Sequence, residues 1–318
     1  MAAGKVKDAL SHLGHLAWNE KNAKNYRALR NELVATGKKF LSGTNMWPTR
    51  LLMEFVVVRE PQCTVANFTL ARAYVKQKKT EAAGQRYFTA FKTVTAADAP
   101  NWLASHRSEL TQLSGKAKVS LGILFATYAQ QRYGKYNKQA RSLAKEAINF
   151  AGGAAPEANF VLGRLLLAEG DTQKGLEQIR IYTNSSKAFP NYSVGLDLED
   201  YLNKLHKKGD LYSRIALKRA RAAKRAFNKH QFDVSEKLYG QIAARFPKIK
   251  ISVSHYFMSA GARVLRQKRY SLAAQLLNVS LSFNRNNVKT HKYLGDYYLE
   301  RGNPSKAKAH YTSALGKL

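Results

Sequence analysis

The amino-acid sequence predicts an all-α chain of helical hairpins stacked into a solenoid. Two observations carry this expectation. Small and aromatic residues recur at a spacing of 34, with Gly261 mapping onto Gly295, Ala273 onto Ala307 and Leu277 onto Tyr311; that is the length of one two-helix unit in a helical-repeat array. In addition, no period-two apolar run is long enough to make a half-buried strand. Repeats of this kind present surface rather than chemistry, so a binding scaffold is the first functional expectation.

Each segment can be justified in chain order. Residues 1–60 carry helix signals without a full repeat: Gly43-Thr44-Asn45 and Trp47-Pro48 mark a turn, and the apolar Leu51–Val58 ends at Pro61. This segment is expected to cap the N-terminal end or contact a partner, with Trp18 and Trp47 expected in core packing ahead of an interface. A first arc, 61–183, opens with Leu70-Ala71, Tyr74, Ala83, Tyr87 and Ala90. Within it, Lys116–Phe150 reads as two helices turning at Tyr133-Gly134-Lys135-Tyr136, and the segment from Pro156 supplies Leu162-Gly163, Gly170-Asp171 and Ile179, with Gly175 where Ala is expected. Residues 184–195, with Ser185-Ser186, Pro190 and Asn191-Tyr192-Ser193, form a candidate hinge loop. The second arc, 196–318, contains Ala222-Ala223, Phe232, Ser235, Tyr239 and Pro247 before the 34-residue echo. Its last unit reads Leu294-Gly295, Tyr298, Gly302, Ala307, Tyr311 and Ala314 in order. Gly295 and Ala307 are small where two helices must approach closely, and Leu294, Tyr298 and Tyr311 fill the space between hairpins.

With these residues in register, the chain resembles the tetratricopeptide repeat superfamily over roughly residues 64–318, with interruptions. Pentatricopeptide repeats are the near neighbour, and the Leu-Gly and Ala positions favour the tetratricopeptide reading. The resemblance implies a right-handed solenoid. It also implies one possible site, since chaperone-binding members hold acidic peptides in the groove with a two-carboxylate clamp of Lys, Asn and Arg. Arg72, Arg164 and Lys224 share one first-helix position and are the groove candidates; Ala262 and Asp296 occupy that position later, and the paired Asn is missing.

Charge is the second strong feature. The chain holds 53 Lys+Arg against 21 Asp+Glu, a formal net charge of +32, with a pI near 10.2. Self-repulsion of that size is most easily tolerated beside a polyanion. The imbalance is regional: no acid lies between Glu109 and Glu146, between Asp210 and Asp233, or between Glu236 and Asp296. Arg214, Lys218, Arg221, Arg225 and Lys229 fall at spacings of four, three, four and four, so they line one face of a helix. Tyr212, Ile215, Ala216, Ala223, Ala226 and Phe227 are expected to form the opposing apolar face. A row of long basic side chains can track a phosphate backbone, and without acids in the segment the ordinary alternative, a solvated face of i,i+4 pairs, loses its usual basis. Arg263, Arg266, Lys268 and Arg269 are further phosphate-binding candidates from the longest acid-free gap. Tyr is abundant beside basic residues, as in Arg132-Tyr133 and Arg269-Tyr270, but most tyrosines sit at packing positions, so backbone and shape contact is the expected mode.

Other functions find little support. No P-loop, G-x-G-x-x-G or H-E-x-x-H motif is present, so neither enzyme activity nor a cofactor is expected. His12 and His15 lie a turn apart with no further ligand nearby and are read as surface histidines, so no metal is expected. The lone Cys63 excludes an internal disulfide and favours a reducing compartment. No apolar run reaches the roughly 18 residues of a transmembrane segment; Val119–Ala129 is too short. Met1–Lys21 lacks a secretory core. It patterns as a short amphipathic helix through Val6, Leu10, Leu13 and Ala17, and Asp8 and Glu20 depart from an acid-free mitochondrial presequence. The expected function is therefore a structural RNA-binding subunit of a large ribonucleoprotein, holding rRNA or other structured RNA on basic faces and docking neighbouring proteins. Lineage-specific helical-repeat subunits resembling this chain point to a mitochondrial ribosome, with a cytoplasmic location as the alternative. The rival expectations are a groove adaptor for acidic peptides and a scaffold subunit of a mitochondrial membrane complex.

Overall fold

The computed structural model describes residues 23–316 and 318. The Met1–Lys21 amphipathic stretch, Trp18 and the His12/His15 pair lie outside the described residues. Among the described residues are sixteen α-helices and no strand, with neighbouring helices packed as pairs. The chain divides into two compact units at Leu165/Leu166.

The first unit holds α1 (Ala23–Phe40), α2 (Trp47–Arg59), α3 (Thr64–Lys76), α4 (Thr80–Thr93), α5 (Ala99–Leu110), α6 (Gly115–Arg132), α7 (Asn137–Ala151) and most of α8 (Pro156–Ala168). Helices α1/α2, α3/α4 and α6/α7 pair, α2 packs on α3, and α4 packs on α6. The core is aromatic. Phe68 stacks on Trp102 with ring centroids 4.3 Å apart, meets Phe91 edge-on at 5.0 Å, and Phe91 meets Phe125 in the same way. Phe68, Phe91 and Phe125 are fully buried, each contributing about 2–3 kcal/mol of transfer free energy. Helix α5, which carries Trp102, has no counterpart in the 34-residue pattern and covers the open side of Phe68.

The second unit holds α9 (Thr172–Thr183), α10 (Leu198–Lys207), α11 (Leu211–Asn228), α12 (Phe232–Arg245), α13 (Lys250–Arg266), α14 (Tyr270–Phe283), α15 (Val288–Glu300) and α16 (Pro304–Leu315). Pairs α11/α12, α13/α14 and α15/α16 stack in order, α10 lies on α11, and α9 packs on α15 and α16. Side-chain caps start several of these helices. Asp210 accepts from the backbone N–H of Tyr212 and Ser213 at 2.9 and 3.1 Å, and Asn287 and Asn303 each cap their helix at 3.1 Å.

Two local rules explain the hairpins. The close approach expected at Gly295 is present: a Cβ there would lie 2.7 Å from the Tyr311 ring. The same contact, between residues 16 apart in sequence, recurs at Gly261/Leu277 and at Gly37/Met53. Within residues 1–60, read from the sequence as helical without a full repeat, α1 and α2 thus pack as a hairpin with a close contact at the same spacing. The turns use a residue with positive φ: Gly302 in the last hairpin, but Lys78, His230 and Lys268, at φ near 60°, in three others. In each, the next residue's N–H closes back to the carbonyl five positions earlier, as from Arg269 to Val264 at 3.0 Å, which ends the first helix.

Candidate functional site

Helix α11 places the basic row as its spacing requires. Ser213, Ala216, Leu217, Ala220, Ala223 and Ala226 are buried, and Arg214, Lys218, Arg221, Arg225 and Lys229 are exposed on the opposite side. Among the described residues, none of the five forms an ion pair with a carboxylate. The buried face is not the one expected in every detail. Tyr212 and Ile215 are exposed rather than core, because Ser213, Ala216 and Leu217 point at α10 and α12 instead. Arg245 of α12 lies over the Tyr212 ring at 4.8 Å.

Arg263, Arg266, Lys268 and Arg269 are exposed at the end of α13 and in the turn after it. Arg269 lines a groove with His230, Gln231 and Asp233, so the α11/α12 and α13/α14 turns are neighbours. Arg301 of the α15/α16 turn sits 5.8 Å from the Tyr270 ring, beside Arg269. The edge of the second unit formed by these turns is therefore basic along three successive hairpins. Tyr133 and Tyr270, flagged in the sequence beside basic neighbours, each receive a guanidinium from elsewhere in the chain, from Arg164 at 4.6 Å and Arg301 at 5.8 Å.

The three groove candidates have different fates. Arg72 donates to Glu109 of α5 at 2.8 Å. Burial raises the Glu109 pKa, but hydrogen bonds from Ser108, its own backbone N–H and Arg72 outweigh it and hold the carboxyl below its ordinary value. Arg164 is half-buried between Tyr133 and Phe160. Lys224 is exposed and lines a groove of about 730 Å³ with Asp197, Glu199, Tyr239, His255 and Tyr256.

Residues 188–197, inside the candidate hinge and just beyond it, are laid against the first helices of the α13/α14 and α15/α16 hairpins. Tyr192 shares a hydrogen bond with His255 Nδ1 at 3.1 Å, lies under Lys289 Nζ at 4.3 Å and packs on Met258 and Leu294. His255 and Lys289 are 34 residues apart, at one repeat position on two successive hairpins. Ser252 Oγ donates to the Leu196 carbonyl at 2.6 Å, and Gly195, at φ 79°, sits so close that a Cβ would meet Ser252 N at 2.8 Å. The first helices of these two hairpins, α13 and α15, are thus covered in part by the chain itself. Sequence alone gave no sign of this, since a polar Pro- and Ser-containing stretch reads as a free loop whether or not it is docked.

The described residues hold no cluster of three or more His, Cys, Asp and Glu side chains able to bind a metal, and no helix long and apolar enough to cross a membrane. No known protein family matches this chain, and no curated protein does.

Proposed function

We propose that this protein is a structural, RNA-binding helical-repeat subunit of a large ribonucleoprotein particle, with its hairpins forming a right-handed tetratricopeptide-like solenoid. The observation that carries the reading is the α11 row: five exposed cations in line, with no carboxylate partner, in a chain of net charge +32. Four cations on one helix face and Lys229 at its C-terminal cap span about 22 Å at 1.5 Å per residue, a length suited to several successive phosphates. The basic turn edge of α11/α12, α13/α14 and α15/α16 adds a second set of contacts. Spread contacts of this kind suit a subunit held in place by RNA and neighbouring proteins.

The peptide-adaptor alternative is weakened on two counts. Arg72 is engaged by Glu109, and segment 188–197 covers part of α13 and α15, the first helices of two successive hairpins. Co-sedimentation tests the proposal. The protein should travel with ribosomal particles, mitochondrial ones first, and nuclease should release it. Changing Arg72, Arg164 and Lys224 together to Ala should cost only part of that association, whereas complete loss in this triple variant, with an α11-row variant unaffected, returns the function to the groove.

A further inference from the structure

The N-terminal end of α11 carries more than charge. Leu211 is 84% exposed, Tyr212 57% and Ile215 49%, and they adjoin one another on the first turns of the helix. Asp210 pins this end, accepting from the Tyr212 and Ser213 N–H groups. The Arg245 guanidinium approaches the Tyr212 ring at 4.8 Å, and the ring remains more than half open to solvent. Arg214 and Lys218 each lie three residues beyond an apolar residue of this patch, Leu211 and Ile215, so the patch runs directly into the basic row.

We propose that this end of α11 is a stacking platform for unpaired nucleobases, so the RNA held by the row is single-stranded where it crosses α11. This rests on the RNA-binding reading above and narrows it. The ligand must offer flat apolar faces at one end of a line of negative charges. An unpaired strand offers both, because its bases are free to stack on Tyr212 while its phosphates continue along Arg214, Lys218, Arg221 and Arg225. An RNA duplex satisfies the row but buries its base faces, leaving Leu211, Tyr212 and Ile215 without a counterpart. An anionic membrane presents a plane, and the exposed apolar residues are confined to one end of a row that runs about 22 Å.

The experiment measures binding of the full-length protein to a labelled twelve-nucleotide oligouridylate and to a blunt twelve-base-pair RNA duplex at equal salt. The unvaried protein should prefer oligouridylate. Tyr212→Ala should weaken oligouridylate by about 5- to 150-fold, the range carried by one base–aromatic stack, with duplex affinity and helix content unchanged. Tyr212→Phe, which keeps the ring, should bind like the unvaried protein, and Ile215→Ser should show a smaller loss. If both RNAs bind with a steep salt dependence but Tyr212→Ala changes neither, the platform is wrong and the RNA-binding reading stands. If neither RNA binds at low salt, both fall. If Tyr212→Ala instead abolishes binding to anionic vesicles or to an acidic peptide while oligouridylate is unaffected, the patch belongs to that partner.

Discussion

Tyr87 in the first unit and Tyr311 in the second occupy the same place in their hairpins, 16 residues after Ala71 and Gly295, and both are fully buried. Their hydroxyls differ. Tyr311 donates to Asp296 at 2.6 Å, and Asp296 is paired with the buried Lys292 at 2.6 Å, whereas the Tyr87 hydroxyl is buried without a partner. The contrast extends to how each unit is held together. In the first, opposite charges tie separate helices: Arg30 to Glu60, Arg72 to Glu109, Arg107 to Glu146. In the second, α13, α14 and α15 carry no acid before Asp296, and hydroxyls and an amide link them through Ser254, Ser280, Thr290 and Asn287. The second unit also has an ion pair between helices, Arg180 to Glu300 at 3.5 Å, but the exposed row on α11 has no carboxylate partner.

The two tyrosines test the contrast most strongly. Tyr311→Phe should lower stability by about 2 kcal/mol, because it takes a donor from a buried carboxylate. Tyr87→Phe should be neutral or stabilising by up to about 1 kcal/mol, because it removes a buried hydroxyl that has nothing to bond. Urea unfolding of both variants gives the comparison, and equal losses would mean the two hydroxyls are equally satisfied.

The charged ties of the first unit should show next. Glu109→Gln should cost about 1 kcal/mol, since the Arg72 guanidinium is partly exposed and solvent screens the pair. The folded Glu109 pKa is depressed, so its stabilisation is present above the unfolded value and lost as pH falls through and below about 4.5. The variant should flatten that acid limb.

A histidine gives the second unit a pH dependence of its own at higher pH. Burial, then the neighbouring His291 and Lys306, lowers the His310 pKa to about 4 from 6.5, and its ring is stacked on Tyr298. Between pH 6.5 and about 4 the unfolded chain takes up a proton that the folded chain refuses, so stability falls as pH drops through that window. In thermal melts at pH 7 and 5, His310→Asn should shrink the difference by a few degrees. An unchanged difference would place the titration elsewhere.

The smallest effect is expected at the turns. Lys268→Gly should stabilise by about 0.5–1 kcal/mol, because its φ of 58° suits glycine, and Gly302→Ala should destabilise by a similar amount. Identical responses at the two sites would argue against a shared turn geometry.

Much of this architecture was legible in the residues. The repeat spacing anticipates the α3/α4, α13/α14 and α15/α16 hairpins, and the close approach expected at Gly295 is present, although Tyr311, expected between hairpins, is the side chain that meets it. The row on α11 followed from helical periodicity alone, because charge spacing needs no tertiary information. What escaped depends on long-range packing. Helix α5 has no repeat partner, and its place is fixed by Trp102 stacking on Phe68. Segment 188–197 is docked by Tyr192 against side chains 63 and 97 positions away, His255 and Lys289. Tyr212 and Ile215 were assigned inward by apolarity, yet the face that α11 buries is set by α10 and α12.

The central claim, that the unpaired row on α11 holds phosphates, is tested most directly by the salt dependence of RNA binding by the full-length protein. Replacing Arg214, Lys218, Arg221 and Arg225 by Gln should make the slope of log K against log salt shallower by about 3, at unchanged helix content, since each phosphate contact contributes about 0.7–0.9. A slope identical to that of the unvaried protein would show that the row is only a solvated helix face.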